Sequence, residues 1–413
     1  MMKQYDSYKD SGVEWIGKIP SHWEVCAFKR KIVINNGRDY KEYLDDELYP
    51  VMGSGGCFAY CSKYLYDGEA VLLGRKGTID KPLYINGKFW AVDTMFYATP
   101  LKSLHCKFAY YLALTFPFNY YSTSTALPSM TQSDLGNNPV AIPPYVEQEI
   151  IALYLDKKCG EIDKAVATQE KRVELLKELR QNIITQAVTR GINPNAPLKD
   201  SGVEWIGEVP EHWKVMKMNH ALRSIADVNH YMPDSVSEGY PYIMTGDLKE
   251  YLSEIDLDSC KRISEEDYKG LIVKSKAQKG DVIFARYATI GTVCYVDVEK
   301  DFVVSYSCVT IRPNSIILDG LFLFYYLQTH TFFEDVSQSI NSNTQGNVGI
   351  ESLSASRLIV PPISEQQEIV SFIETKTARL DKSIEKAEHQ IELLQELKQS
   401  IITEVVTGKR KVV

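Results

Sequence analysis

The chain holds residue types that could do chemistry, but rarely at the spacings that chemistry needs. Gly53–Gly56 reads Gly-Ser-Gly-Gly; a phosphate-cradling loop also needs a closing Gly-Lys-Ser/Thr, so a turn is the better reading. No His-Glu-x-x-His run puts two imidazoles on one helix face for zinc, and no Gly-x-Ser-x-Gly elbow presents a nucleophile. No clustered carboxylate–lysine nuclease signature is present either. The seven histidines are dispersed. His22 and His212 recur inside a repeated His-Trp dipeptide, which points to packing or capping. Cys57 and Cys61 are the closest pair among eight cysteines, and no second pair matches them. Small buried thiols in a reducing compartment are expected ahead of zinc ligands or disulfides. Together these absences favour a chain that binds over one that catalyses. No catalytic residue and no metal ligand is assigned.

The elements that would position a binding site must therefore carry the argument. At 413 residues the chain has room for two or three domains. Its 44% hydrophobic and 24% charged content is that of an ordinary globular protein. The polar N-terminus predicts no secretory signal, and no apolar run approaches a membrane span, so a cytoplasmic location with no membrane partner is expected. The net charge of −8 argues weakly against nucleic acid as a ligand. Global charge is a poor guide, though, when acidic helices lie far from a basic cleft.

Internal repetition is the strongest signal. Lys-Asp-Ser-Gly-Val-Glu-Trp-Ile-Gly opens at Lys9 and again at Lys199, 190 residues on. A second set of matches has an offset of 218: Pro143-Pro144 with Glu147-Gln148 against Pro361-Pro362 with Glu365-Gln366, and the run from Glu174 against that from Glu392. The second variable region is thus longer by 28 residues, and the acidic segment Met244–Gly270 is expected to supply them as a solvent-side flap. Ile142–Tyr145 has the Pro-Pro-Tyr of an adenine methyltransferase loop but lacks its leading Asn, and the partner copy reads Val-Pro-Pro-Ile. A helix boundary is the better reading. Past each Pro-Pro, apolar residues recur at alternating spacings of four and three. The seam runs through Ile162, Val166, Val173, Leu176 and Ile183 in one copy, and through Leu380, Ile384, Ile391, Leu394 and Ile401 in the other. Arg180 and Lys398 occupy equivalent seam positions. Two amphipathic helices on separate cores could show the same pattern. Each would span roughly 60 Å, however, too long for one small domain to bury, so helix pairing is favoured. Gly191–Leu198 reads as a linker, with a Gly stop followed by turn-forming Asn and Pro.

Between opening motif and helix, both copies are Tyr-rich, with short alternating strands and Gly/Asp turns. The run from Leu72 lies over that from Ile283, and the run from Phe108 over that from Leu323. One scaffold with diverged surfaces suggests a bipartite recognition device.

These motifs resemble the specificity (S) subunit of type I restriction–modification enzymes over essentially the full length. The likeness rests on the doubled opening motif, the linker Thr-Arg-Gly-Ile-Asn-Pro-Asn-Ala-Pro-Leu, the Pro-Pro-x-x-Glu-Gln boundaries and the paired Glu-Leu-Leu-x-Glu-Leu helices. It implies an α+β fold: two similar target recognition domains, mixed α/β globules with twisted sheets, separated by two long helices that pair as an antiparallel coiled coil in an internal pseudo-two-fold repeat. The corresponding divisions are 1–142, 143–190, 191–198, 199–360 and 361–413. The resemblance implies double-stranded DNA and two modification (M) subunits as partners, with restriction (R) subunits as further ones. No cofactor is expected on this chain: S-adenosylmethionine belongs to the M subunits, and ATP and Mg to the R subunits. The competing reading is a coiled-coil scaffold that binds proteins and no DNA.

On that resemblance, the DNA-binding candidates are Arg75, Lys76 and Thr78 in a Gly-Arg-Lys-Gly-Thr turn, with Arg286, Tyr287 and Thr289 as their equivalents. An arginine fork suits guanine or phosphate. An arginine present in both copies is expected at phosphate, because unlike domains should read unlike bases. The alternative is a structural arginine tying a turn to a carboxylate. Base readers belong where the copies diverge, at Ser122, Thr123, Ser124 and Thr125 and at Asn341, Asn343, Thr344 and Gln345. A solvated polar loop is the competing reading there. Tyr120, Tyr121 and Tyr306 could stack on bases, though core packing is expected of most tyrosines in this chain. Charges flanking the seams are expected to recruit the M subunits.

Overall fold

A computed structural model describes residues 4–45, 47–118, 128–337 and 346–412. The chain divides into two units, one of Met1–Lys171 with Ala387–Val413 and the other of Arg172–Lys386. The long helices Tyr145–Arg190 and Ile363–Val406 each contribute one part to each unit.

Both units contain the same hairpin. Tyr8–Asp10 pairs antiparallel with Lys18–Pro20, and Leu198–Asp200 with Glu208–Pro210. The carboxylates of Asp10 and Asp200 accept from the amides of Gly12 and Gly202 at 2.9 Å, and Ser11 and Ser201 close the loops onto Gly17 and Gly207 at 3.0 Å. These are local side-chain-to-backbone turns, so identical sequence gives identical structure without help from elsewhere. Strand Glu24–Ala27 then pairs with Pro139–Ile142, as Lys214–Lys217 does with Arg357–Val360, which sets the opening motif beside the start of a long helix.

The central sheets share one order. In the first unit, Ile32–Asn36, Met95–Pro100, Tyr66–Gly74 and Leu83–Ala91 lie side by side within a seven-stranded sheet. In the second, Leu222–Ala226, Cys308–Pro313, Val282–Ala285 and Val293–Tyr295 form a four-stranded sheet in the same order. Ala70–Leu73 and Val282–Ala285 are buried on both faces, and both read as unbroken small or apolar runs. Helices Cys106–Ala113 and Gly320–Leu327 join the main cores.

The acidic segment of the second unit is not a flap. Lys261–Ile263 pairs with Tyr240–Ile243, and Leu248, Leu252, Ile255 and Cys260 are buried in a cluster with Ile283, Cys294 and Cys308. Its carboxylates face outward while its apolar residues build core, a division that overall charge conceals.

Each long helix starts at a glutamine clamp. Gln148 accepts from the amide of His105 at 2.8 Å and donates to the carbonyls of Ser103 and Pro143 at 3.1 and 2.9 Å. Gln366 repeats this with the Asp319 amide and the carbonyls of Ile317 and Pro361, all at 2.8 Å. Beside it, Glu147 accepts from Tyr5, His22 and Trp23, and Glu365 meets His212 at 2.7 Å. The two His-Trp histidines therefore tie the opening motif to the helix start. At the far ends, Gly191 packs against Trp213, and Gly408 lies where any side chain would collide with Pro20.

Within each unit the helices run antiparallel. Lys398 pairs with Asp163 at 2.6 Å in the first, and Arg180 with Asp381 at 2.9 Å in the second. Ile162, Val173, Ile384 and Ile401 are buried, and Val166, Leu176, Ile183, Leu380, Ile391 and Leu394 are half-buried. Ile184 and Val188 are fully buried in the second core, because the last turns of the first helix present that neighbouring face to the recognition domain. Among the described residues, no helix is long and apolar enough to cross a membrane.

Candidate nucleic-acid interface

The two arginine turns leave equivalent central strands. Tyr66–Gly74 ends at Arg75, and Val282–Ala285 ends at Arg286. The Arg75 amide donates to the carbonyl of Thr94 at 2.9 Å, and its own carbonyl accepts from Met130 at 3.0 Å. The Arg286 amide donates to Ser307 at 2.8 Å, and its carbonyl accepts from Val348 at 3.2 Å. The backbone is thus pinned the same way twice. Both turns then enter the left-handed region, at Gly77 with φ 80° and at Ala288 with φ 57°. Glycine takes this conformation freely, whereas alanine carries strain.

The side chains differ. Arg75 is half-buried; its guanidinium lies 5.8 Å from the Phe96 ring and makes one long contact, 3.4 Å to the Asp93 carbonyl. Lys76 and Thr78 are exposed beside it. Arg286 has only 6% of its side chain exposed and forms an ion pair with Asp227 at 2.5 Å. It also donates to the carbonyls of Val348 and Tyr306, both at 3.3 Å. Arg286 is therefore held as the structural arginine weighed as the alternative would be, by an ion pair and two backbone carbonyls. Thr289 is exposed and Tyr287 half-buried.

Sheet register is the same in both copies, and the residue it brings to one position differs. Met95–Gly74 and Cys308–Ala285 are the pairs nearest the turns. Two residues further along, Tyr97 faces Asn35 and Thr310 faces Ala226. Asn36 thus takes the place of Asp227: one copy offers an amide and the other a carboxylate. Neither residue stands out in the sequence, since each is merely a polar residue at the end of a strand. Ser122, Thr123, Ser124 and Thr125, Asn341, Asn343, Thr344 and Gln345, and Tyr120 and Tyr121 lie outside the described residues. Tyr306 is half-buried, its ring centroid 4.9 Å from that of His230. The eight cysteines are free, and all except Cys57 are buried. Burial pushes the thiols of Cys106, Cys294 and Cys308 up to about 12, which leaves them unreactive. Among the described residues, no group of His, Cys, Asp and Glu is arranged to hold a metal ion.

A duplicated α+β scaffold with equivalent turns, unlike side chains on those turns and two long helices defines a two-headed recognition protein. The chain belongs to the family of the type I restriction modification DNA specificity domain, whose model matches residues 20–177 and 213–393. It is 23% identical over 420 residues to the type I restriction enzyme EcoDI specificity subunit of Escherichia coli, covering 95% of this chain and 90% of that one. It is 22% identical over 436 residues to the MjaVIII specificity subunit of Methanocaldococcus jannaschii, covering 96% and 94%. Its fold is similar to a chain solved in work on complex assembly and conformational transition of the type I R-M system. That match has a TM-score of 0.66 at 14% identity and covers 94% of this chain and 98% of the other. Membership of a DNA specificity family favours sequence reading over the protein-only scaffold that the net charge had kept open.

Proposed function

We propose that this chain is the DNA sequence-specificity subunit of a type I restriction–modification complex, and that each recognition domain reads one half of an asymmetric bipartite site. The observation that carries this reading is the family match to both halves of the chain, on units whose equivalent turns carry different side chains. Two half-sites held by one chain add their discrimination, roughly 1–3 kcal/mol per base pair, without a second association cost. The paired helices set the unread spacer and dock two modification subunits. In this reading the chain carries no catalytic step and holds no cofactor. S-adenosylmethionine sits on the modification subunits, and ATP with Mg on restriction subunits where these join. The complex works in the cytoplasm.

Arg75, Lys76 and Thr78 serve as a backbone contact of the first domain, and Tyr287 and Thr289 mark the corresponding surface of the second. The polar segments Ser122–Thr125 and Asn341–Gln345 are the proposed base readers. Mapping methylated adenines across the host genome, with and without this gene, tests the whole reading. One bipartite motif is expected to lose its methylation on deletion. An unchanged methylation map would reject the assignment.

A further inference from the structure

We propose that the second recognition domain reads its half-site through an aromatic surface of His230, Tyr287 and Tyr306, which Arg286 positions without itself touching DNA. This rests on the DNA-reading role above and assigns side chains within it. Arg286 ties three stretches of chain together. Its guanidinium grips Asp227, three residues before His230; it donates to the carbonyl of Tyr306; and it holds Val348 through both backbone and side chain. It also lies 5.4 Å from the Tyr287 ring centroid. The rings it organises meet one another: His230 lies against Tyr306 at 4.9 Å, tilted by 34°, and meets Tyr287 edge-on at 6.1 Å.

His230 is exposed, and Tyr287 and Tyr306 are half-buried. Each has a flat apolar body and a polar tip, the combination that can meet a thymine methyl and hydrogen-bond a base edge in one contact. Arg286 cannot do this work. Leaving its site would strand Asp227 beside a desolvated gap and release the loop that carries His230. Ala288 adds an independent sign that the turn is held for a purpose, because it keeps the left-handed backbone that the first unit assigns to Gly77. In the first domain the register position of Asp227 holds Asn36, and the Arg75 guanidinium makes one long contact to the Asp93 carbonyl beside the Phe96 ring.

The test uses full-length chains returned to a host that lacks the gene, with methylated adenines mapped genome-wide and melting measured on the purified chain. His230→Ala, Tyr287→Phe and Tyr306→Phe are expected to degrade discrimination roughly tenfold at positions within one half of the motif. The other half and the melting temperature should stay unchanged. Asp227→Asn is expected to blur that same half while the other half survives, an outcome that general unfolding cannot give. If the three aromatic variants retain the wild-type motif, or lose both halves together, the inference is wrong even though the specificity role stands. If Asp227→Asn leaves its half sharp, Arg286 is no positioning residue. If the wild-type gene itself restores no bipartite motif, the specificity role falls first and this inference with it.

Discussion

Arg75 and Arg286 sit on the same pinned turn and meet different neighbours. Asp227 gives Arg286 a carboxylate, whereas the register position of Asp227 in the first unit holds Asn36. Arg75→Ala is therefore expected to weaken binding to duplexes of any sequence and to lower the salt dependence by about one phosphate contact. Titrations of the assembled complex at several salt concentrations measure this. Arg286→Ala should instead act on stability. Breaking a largely buried pair and orphaning its partner costs on the order of 3 kcal/mol, enough to lower the melting temperature of the purified chain by several degrees. If Arg286→Ala melted normally and Arg75→Ala did not, the two roles would be reversed.

At the scale of elements, the recurring pieces are joints. Proline pairs stop the strands Pro139–Ile142 and Arg357–Val360, and a glutamine four or five residues on fastens each helix start to the loop before a short core helix. Gln148 and Gln366 are almost wholly buried and each makes three hydrogen bonds. Replacing either by Ala leaves one amide and two carbonyls without their side-chain partner, at a cost on the order of 3 kcal/mol. Hydrogen exchange should show the loss near His105 for Gln148→Ala and near Asp319 for Gln366→Ala. Exchange unchanged at those loops would show that the clamps are dispensable. The ion pairs Lys398–Asp163 and Arg180–Asp381 stand at matching positions and fix the antiparallel register. They are partly exposed and contribute little to stability by themselves.

At the scale of the whole molecule, the proposed role of the helices is to set a distance. Adding or removing one helical turn at matched points in both helices should change the length of the unread spacer and leave both half-site sequences intact. Methylation mapping in cells carrying such variants reads the spacer directly. Altered half-site bases at constant spacer length would contradict this division of labour between heads and helices.

The sequence by itself determined the duplication, the hairpins around Gly12 and Gly202, the helix starts after Pro144 and Pro362, and the seam from Ile162 to Ile401. All of these depend on short-range chemistry: an Asp side chain two residues from its amide, a proline that cannot continue a strand, an apolar stripe with helical period. The acidic segment around Leu248 misled a reading based on charge, because four apolar residues spaced among carboxylates carry its burial. The fate of the two arginines lay beyond any sequence pattern. Arg286 meets Asp227 across 59 residues, and no local rule couples two positions so far apart. Sheet register brought Arg286 and Asp227 together; the same register in the first unit sets Asn36 at the equivalent position, so only the folded sheet shows which residue type each turn meets.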